Sequence, residues 1–140
     1  MAGLSEPQAG TVSRATPHHW IGHTNGLKAH ETPHTHLRHW ARVWGSDAEI
    51  KPVLETMGLA RPADVPCRML SAGQKRRTAL SRLCLIDRKV WLLDAPFNAL
   101  DRDGQALLAE MIAQHRAAGG AVIAALHGSA PIEPSAEVVL

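Results

Sequence analysis

The sequence predicts an α/β protein built on a parallel sheet, and three segments carry that prediction. Val90-Trp91-Leu92-Leu93 is a continuous apolar run that stops at Asp94, the pattern of a strand buried on both faces. Asp101 to Ala118 sets Leu107, Leu108, Met111 and Ile112 on one helical face and ends at Gly119-Gly120. Ala121-Val122-Ile123-Ala124-Ala125 reads as a second buried strand. Strand, helix and strand in that order form a βαβ unit, whose strands run parallel.

The elements before this unit follow from local signals. Residues 1–17 are small and polar, with Pro7, Gly10 and Pro17, and read as a loose tail. Trp20-Ile21 is a short apolar piece suited to a strand end, and Asn25-Gly26 marks a turn. Thr32 can cap a helix that has Pro33 at its first position. Leu37, Trp40, Ala41 and Trp44 then repeat at i, i+3, i+4 and i+7, and Gly45 closes the helix. Asp47 is the expected cap of a second helix carrying Ile50, Val53, Leu54 and Met57, which Gly58 ends. After Pro62 and Pro66, Ser71 can cap a third helix whose inner face holds Ala79, Leu80, Leu83 and Cys84. Val138-Val139-Leu140 could add a last strand.

Composition bounds the function. The 140 residues are 45% hydrophobic and 20% charged, which is globular and long enough to bury a core. That core is expected to be aliphatic, since there are one Phe, four Trp and no Tyr. A net charge of +2 gives no case for nucleic acid. Lys75, Arg76 and Arg77 cluster on one turn and read as a solvated face. The two cysteines, Cys67 and Cys84, have no metal spacing and suit a reducing compartment, with Cys84 as a small core residue. No apolar run reaches the ~20 residues of a bilayer span, and no secretory h-region is present. A soluble chain is expected, with any membrane role supplied by a partner.

Four motifs in order over residues 70–127 resemble those of the ABC-type ATPases. Leu70-Ser71-Ala72-Gly73-Gln74 resembles the signature motif, Leu92-Leu93-Asp94-Ala95-Pro96 resembles Walker B, and Ala99-Leu100-Asp101 resembles the D-loop. His127 sits where that family has its switch histidine. Ile21-Gly22-His23-Thr24-Asn25-Gly26-Leu27-Lys28, the run from Leu70 to Arg77 and Pro96-Phe97-Asn98 are similar to the ATP-binding subunit of the cytochrome c maturation haem exporter. The resemblance implies a partial P-loop NTPase core with a parallel sheet, plus the ABC helical subdomain. Residues 1–19 would be the tail and 20–140 the partial ATP-binding domain, with the helical subdomain at about 30–89 and the Walker B half at about 90–140.

The residues themselves suit some of this chemistry. Ser71, with Gly73 and the helix start behind it, offers hydroxyl and N–H donors to an anion; the family uses this end on the terminal phosphate of ATP held by the other subunit. The plainer alternative is a capped helix. Asp94 at a strand end can hold magnesium through water, or simply cap the next turn. Ala95 stands where the family has the glutamate that activates water, and a methyl cannot replace it. The general-base contribution is typically ~10²–10⁴-fold. Thr24 stands at the family's first-loop glutamine. No GxxxxGK[ST] occurs in the 140 residues, so the loop that cradles phosphates is absent. A family strand leading into that loop is absent too, which should leave an exposed sheet edge.

The expected function is that of a truncated or degenerate ATP-binding subunit of a haem exporter, with ATP and magnesium as the family's cofactors and own binding doubtful. Its partners would be a second ATP-binding subunit and integral membrane exporter subunits, placing it on the inner face of the membrane through them. Two alternatives stand beside this. One is a non-enzymatic module that docks a partner through the Trp40 and Trp44 face or binds metal. The other is the product of a disrupted gene, with residues 1–17 as unrelated coding sequence. His18, His19, His23, His30, His34, His36 and His39 crowd one region. Imidazoles at i, i+3 can share a metal or haem, but these read as surface helix residues.

Overall fold

A computed structural model describes residues 10–11, 16–126, 131–136 and 138. Three parallel strands lie in the order β1 (His18–Ile21), β2 (Val90–Asp94), β3 (Ala121–Ala125). The register pairs Trp20 with Leu92 and Leu92 with Ile123. Among the described residues β1 and β3 each have one free edge, in line with the exposed edge expected from the sequence.

Helix α1 (Pro33–Trp44) begins at a capping box in which the Thr32 hydroxyl accepts the Thr35 N–H and the Thr35 hydroxyl accepts the Thr32 N–H. It ends at Gly45, whose φ of 64° is the left-handed conformation glycine adopts without a Cβ penalty. Helix α2 (Ile50–Thr56) starts at Glu49, two residues after the Asp47 that local chemistry favours. Ser46 occupies that corner instead: its hydroxyl donates to the Leu85 carbonyl and accepts the Ala48 N–H, so the chain turns before it coils. Helix α3 (Ala72–Leu80) has Ser71 as its cap and tightens into a 3₁₀ turn over Ser81–Cys84. Helix α4 (Arg102–Ala117) starts at Asp101, whose carboxylate accepts the Gly104 N–H.

One apolar core joins the helical pair to the sheet. Leu37 and Ala41 of α1, Leu54 of α2, Leu80 and Leu83 after α3, and Leu108 and Ile112 of α4 all pack with Ile21, Trp91 and Leu93. Two sequence expectations fail here. β3 is not buried: its residues alternate between exposed and half-buried, because only one of its faces meets the helices. The histidine cluster is not wholly on the surface either, since His19 and His36 are buried. Cys84 is half-buried, and burial raises its thiol to about 11; Cys67 is buried and both are free. Val138 lies outside any strand, and the rest of the expected last strand falls outside the described residues.

Candidate functional site

The signature segment is built by a capping box. The Ser71 hydroxyl accepts the Gln74 N–H at 3.1 Å, and the Gln74 side-chain oxygen accepts the Ser71 N–H at 2.9 Å. This fixes the first turn of α3 and satisfies two backbone donors that would otherwise be open. Leu70 is buried as the anchor behind it, while Ser71 and Ala72 are exposed. Gly73 has a specific reason to be glycine. A Cβ there would lie 3.1 Å from the Ala99 carbonyl, so the helix start and the Ala99-Leu100-Asp101 segment touch directly.

That contact is reinforced by charge. Arg77 of α3 donates to both carboxylate oxygens of Asp101, at 2.6 and 2.8 Å. The Gly104 amide, and after it the Arg77 guanidinium, hold the Asp101 carboxyl below its usual range. Leu100 between them is buried. The structure therefore brings the signature and D-loop residues together within one chain.

Asp94 ends β2 half-buried, and its Oδ2 accepts the His23 N–H at 3.2 Å. The first loop, with Thr24 exposed at its turn, is thus tied to the strand end. Ala95 follows with φ 44°, a left-handed backbone that is costly for a residue with a Cβ. It is only 3% exposed, and its N–H donates to the Ala125 carbonyl at 2.9 Å. Ala99 has φ 63°. Two left-handed alanines in one short loop are a sign of imposed geometry. His127 lies outside the described residues, two positions beyond Ala125.

The fit to the family's cofactors is partial. Among the described residues no three His, Cys, Asp or Glu side chains converge as a metal centre. A lone carboxylate with one oxygen already engaged suits magnesium only where phosphates and water complete the shell. No GxxxxGK[ST] occurs in the 140 residues.

The basic cluster is not the solvated face expected from composition. Arg76 is buried and Arg77 is ion-paired, leaving Lys75 as the ordinary member. A signal existed: Arg76 precedes Ala79, Leu80 and Leu83 by three, four and seven positions, which puts it on the inner stripe of α3. Arg82, also buried, donates to the Ala79 and Asn25 carbonyls and lies over the Trp40 ring at 5.6 Å. Desolvation lowers its pKa to about 10.

The histidines serve separate structural ends. His19 Nε2 donates to the Ile86 carbonyl and its ring meets Trp44 edge-on at 5.1 Å. Burial lowers its pKa to about 4. His36 Nδ1 donates to Glu31 at 2.9 Å, and burial outweighs that carboxylate to hold its pKa below the usual value. His30 pairs with Arg68 instead. Trp40 and Trp44 meet with their planes tilted by 42° and centroids 5.0 Å apart, with Arg82 over the first ring and Arg88 over the second. Both rings are half-buried.

Comparison with known proteins places this arrangement. The ABC transporter family matches residues 1–98. The cytochrome c biogenesis ATP-binding export protein CcmA of Hyphomonas neptunium is 51% identical over 140 residues, covering 100% of this chain and 72% of that protein. Its namesake in Maricaulis maris is 42% identical, covering 92% and 65%. The chain thus spans about two thirds to three quarters of these relatives. Both the family match and the Hyphomonas alignment include residues 1–17, which are therefore part of the likeness and not unrelated sequence. A solved ATP-binding subunit of an ABC transporter aligns with TM-score 0.68 at 23% identity, over 78% of this chain and 48% of that one. An RNase-L inhibitor structure aligns with TM-score 0.70 at 20% identity, over 88% and 24%. These two likenesses speak for the fold.

Proposed function

The chain belongs to the ABC transporter family, in the group of cytochrome c biogenesis ATP-binding export proteins, and from that premise we propose that it presents its signature end to a nucleotide held by a second ATP-binding subunit. One observation carries the reading. The Leu70–Gln74 segment is whole, capped and seated on Ala99 and Asp101, whereas Ala95 supplies no carboxylate and no phosphate loop is present in the sequence. What acts on a neighbour's phosphate is in place, and the carboxylate that would activate water at position 95 is not.

In this role the α3 N-terminus and the Ser71 hydroxyl donate to the terminal phosphate across a dimer interface. Asp94 contributes to a magnesium site only with phosphates supplied by a nucleotide. His127 contacts the terminal phosphate, and Thr24 reaches that site only through water. The assembly is an exporter of cytochrome c biogenesis, with haem as its substrate and integral membrane subunits as partners. The chain sits at the inner membrane face through them; no described helix is long and apolar enough to cross a membrane.

The test mixes the chain with an intact relative such as the Hyphomonas neptunium protein. ATP-dependent association, followed by sedimentation, and a changed ATP turnover of the relative are expected, both weakened several-fold by Ser71→Ala. Turnover indifferent to saturating chain would sink the reading. Saturable ATP binding by the isolated chain would also count against it.

A further inference from the structure

Arg76 is 3% exposed, and each N–H of its guanidinium has an acceptor. Nε donates to the Pro96 carbonyl at 3.2 Å. Nη1 donates to the Gly22 carbonyl at 2.9 Å and to Asn25 Oδ1 at 3.3 Å. Nη2 donates to the carbonyls of Asp94 at 2.7 Å and Ala95 at 2.9 Å. A guanidinium carries five N–H donors in one rigid plane, so this side chain is used to capacity. Among the described residues no carboxylate bonds to it, and carbonyl dipoles hold the charge.

The acceptors come from two loops that share no helix or strand. Gly22 and Asn25 belong to the loop after β1, while Asp94 ends β2 and Ala95 and Pro96 begin the turn after it. The donor belongs to α3, one turn past Ser71. The same turn holds Ala95 in a left-handed conformation that L residues avoid, so something outside the turn must hold it there. Two further bonds hold these loops, His23 N–H to the Asp94 carboxylate between them and Ala95 N–H to the Ala125 carbonyl of β3. Neither reaches α3. Arg82, in the 3₁₀ turn that follows α3, reaches the Asn25 carbonyl of the first loop only; Arg76 is the member that ties the signature helix to both loops.

We propose that Arg76 is a positioning residue that locks the Gly22–Asn25 loop and the Asp94–Pro96 turn to the start of α3, so that the three move as one body. Its use in the reaction rests on the function proposed above: the Asp94 carboxylate and the Ser71 end then hold a fixed spacing. Lysine cannot substitute, because an ammonium brings three donors and no plane to five acceptors.

Backbone hydrogen exchange of the whole chain, without nucleotide or partner, tests this. In Arg76→Lys the amides of His23 and Ala95 should exchange roughly 10–100-fold faster, the effect of losing hydrogen bonds to a charged group. Those of Leu37 and Ala41 in α1 should stay as they are. A uniform rise across the chain, or no rise in the two loops, overturns the proposal. Asn25→Ala removes one acceptor at the rim and serves if Arg76→Lys does not fold. It should loosen the Ala95 amide across the guanidinium as well as its own loop; loosening confined to residues 22–25 also overturns the proposal. Because exchange needs no partner, the expected faster exchange in the two loops together with no effect of the chain on a relative's ATP turnover would count against the trans-nucleotide reading alone.

Discussion

His19, Ile21, Trp91 and Leu93 on one face of the sheet, and Trp20, Leu92 and Ile123 on the other, are similar kinds of side chain with different fates. Ile21, Trp91 and Leu93 lie in the core with all four helices. The second row is aligned by the register of the three strands, yet Trp20 is 45% and Ile123 44% exposed. Parallel sheets are ordinarily covered on both faces. Here apolar content alone does not tell which face is covered, because alternation along a strand assigns a side but not a neighbour.

The largest expected difference between the faces is mechanical. Leu93→Ala should cost about 2–5 kcal/mol, from lost transfer energy and the cavity left behind, read from the urea midpoint. An effect below about 1 kcal/mol would mean that the packed face is not the stabilising one.

The next is a pH effect confined to the packed face. His19 has a folded pKa of about 4 against an ordinary 6.5, because burial disfavours the imidazolium. The unfolded chain binds the extra proton first, so this stabilisation is whole above pH 6.5 and is lost as pH falls towards 4. The loss should be on the order of 2–3 kcal/mol, seen as a falling melting temperature over that interval. His19→Asn should flatten the profile; an unchanged slope would remove His19 as its source.

Ser71→Ala touches neither face and provides a reference. Losing the cap should cost about 1 kcal/mol, measured as a midpoint shift with an unchanged urea slope. Smallest is Ile123→Ala on the bare face, at most about 1 kcal/mol for a half-exposed side chain. A cost equal to that of Leu93→Ala in the same denaturation experiment would show that the bare face is covered in solution.

Much of the fold was legible because its signals are local. Thr32 with Pro33, Gly45, Ser71 and Asp101 each act on the backbone within four residues, and each does so where expected. The failures are equally specific. Asp47 does not cap α2, which starts after Glu49 without a side-chain cap, while Ser46 before it answers to Leu85 far along the chain. β3 read as buried from its composition, although burial depends on what packs on it. Within the candidate site, the contact of Gly73 with Ala99 and the pairing of Arg77 with Asp101 join motifs that the sequence places more than twenty positions apart.

By itself the sequence determined the family, the order of strands and helices, the helix caps, and the chemical inventory at Ser71, Asp94 and Ala95, since each rests on residue identity or short-range spacing. Only the tertiary structure decided that Arg76 is buried against five acceptors, that His19 and His36 are buried, and that Trp20 and Ile123 stand exposed on the face where Leu92 between them is buried. The physical reason is that desolvation and five-fold hydrogen bonding are properties of surroundings assembled from distant segments, and no local pattern of residues contains them.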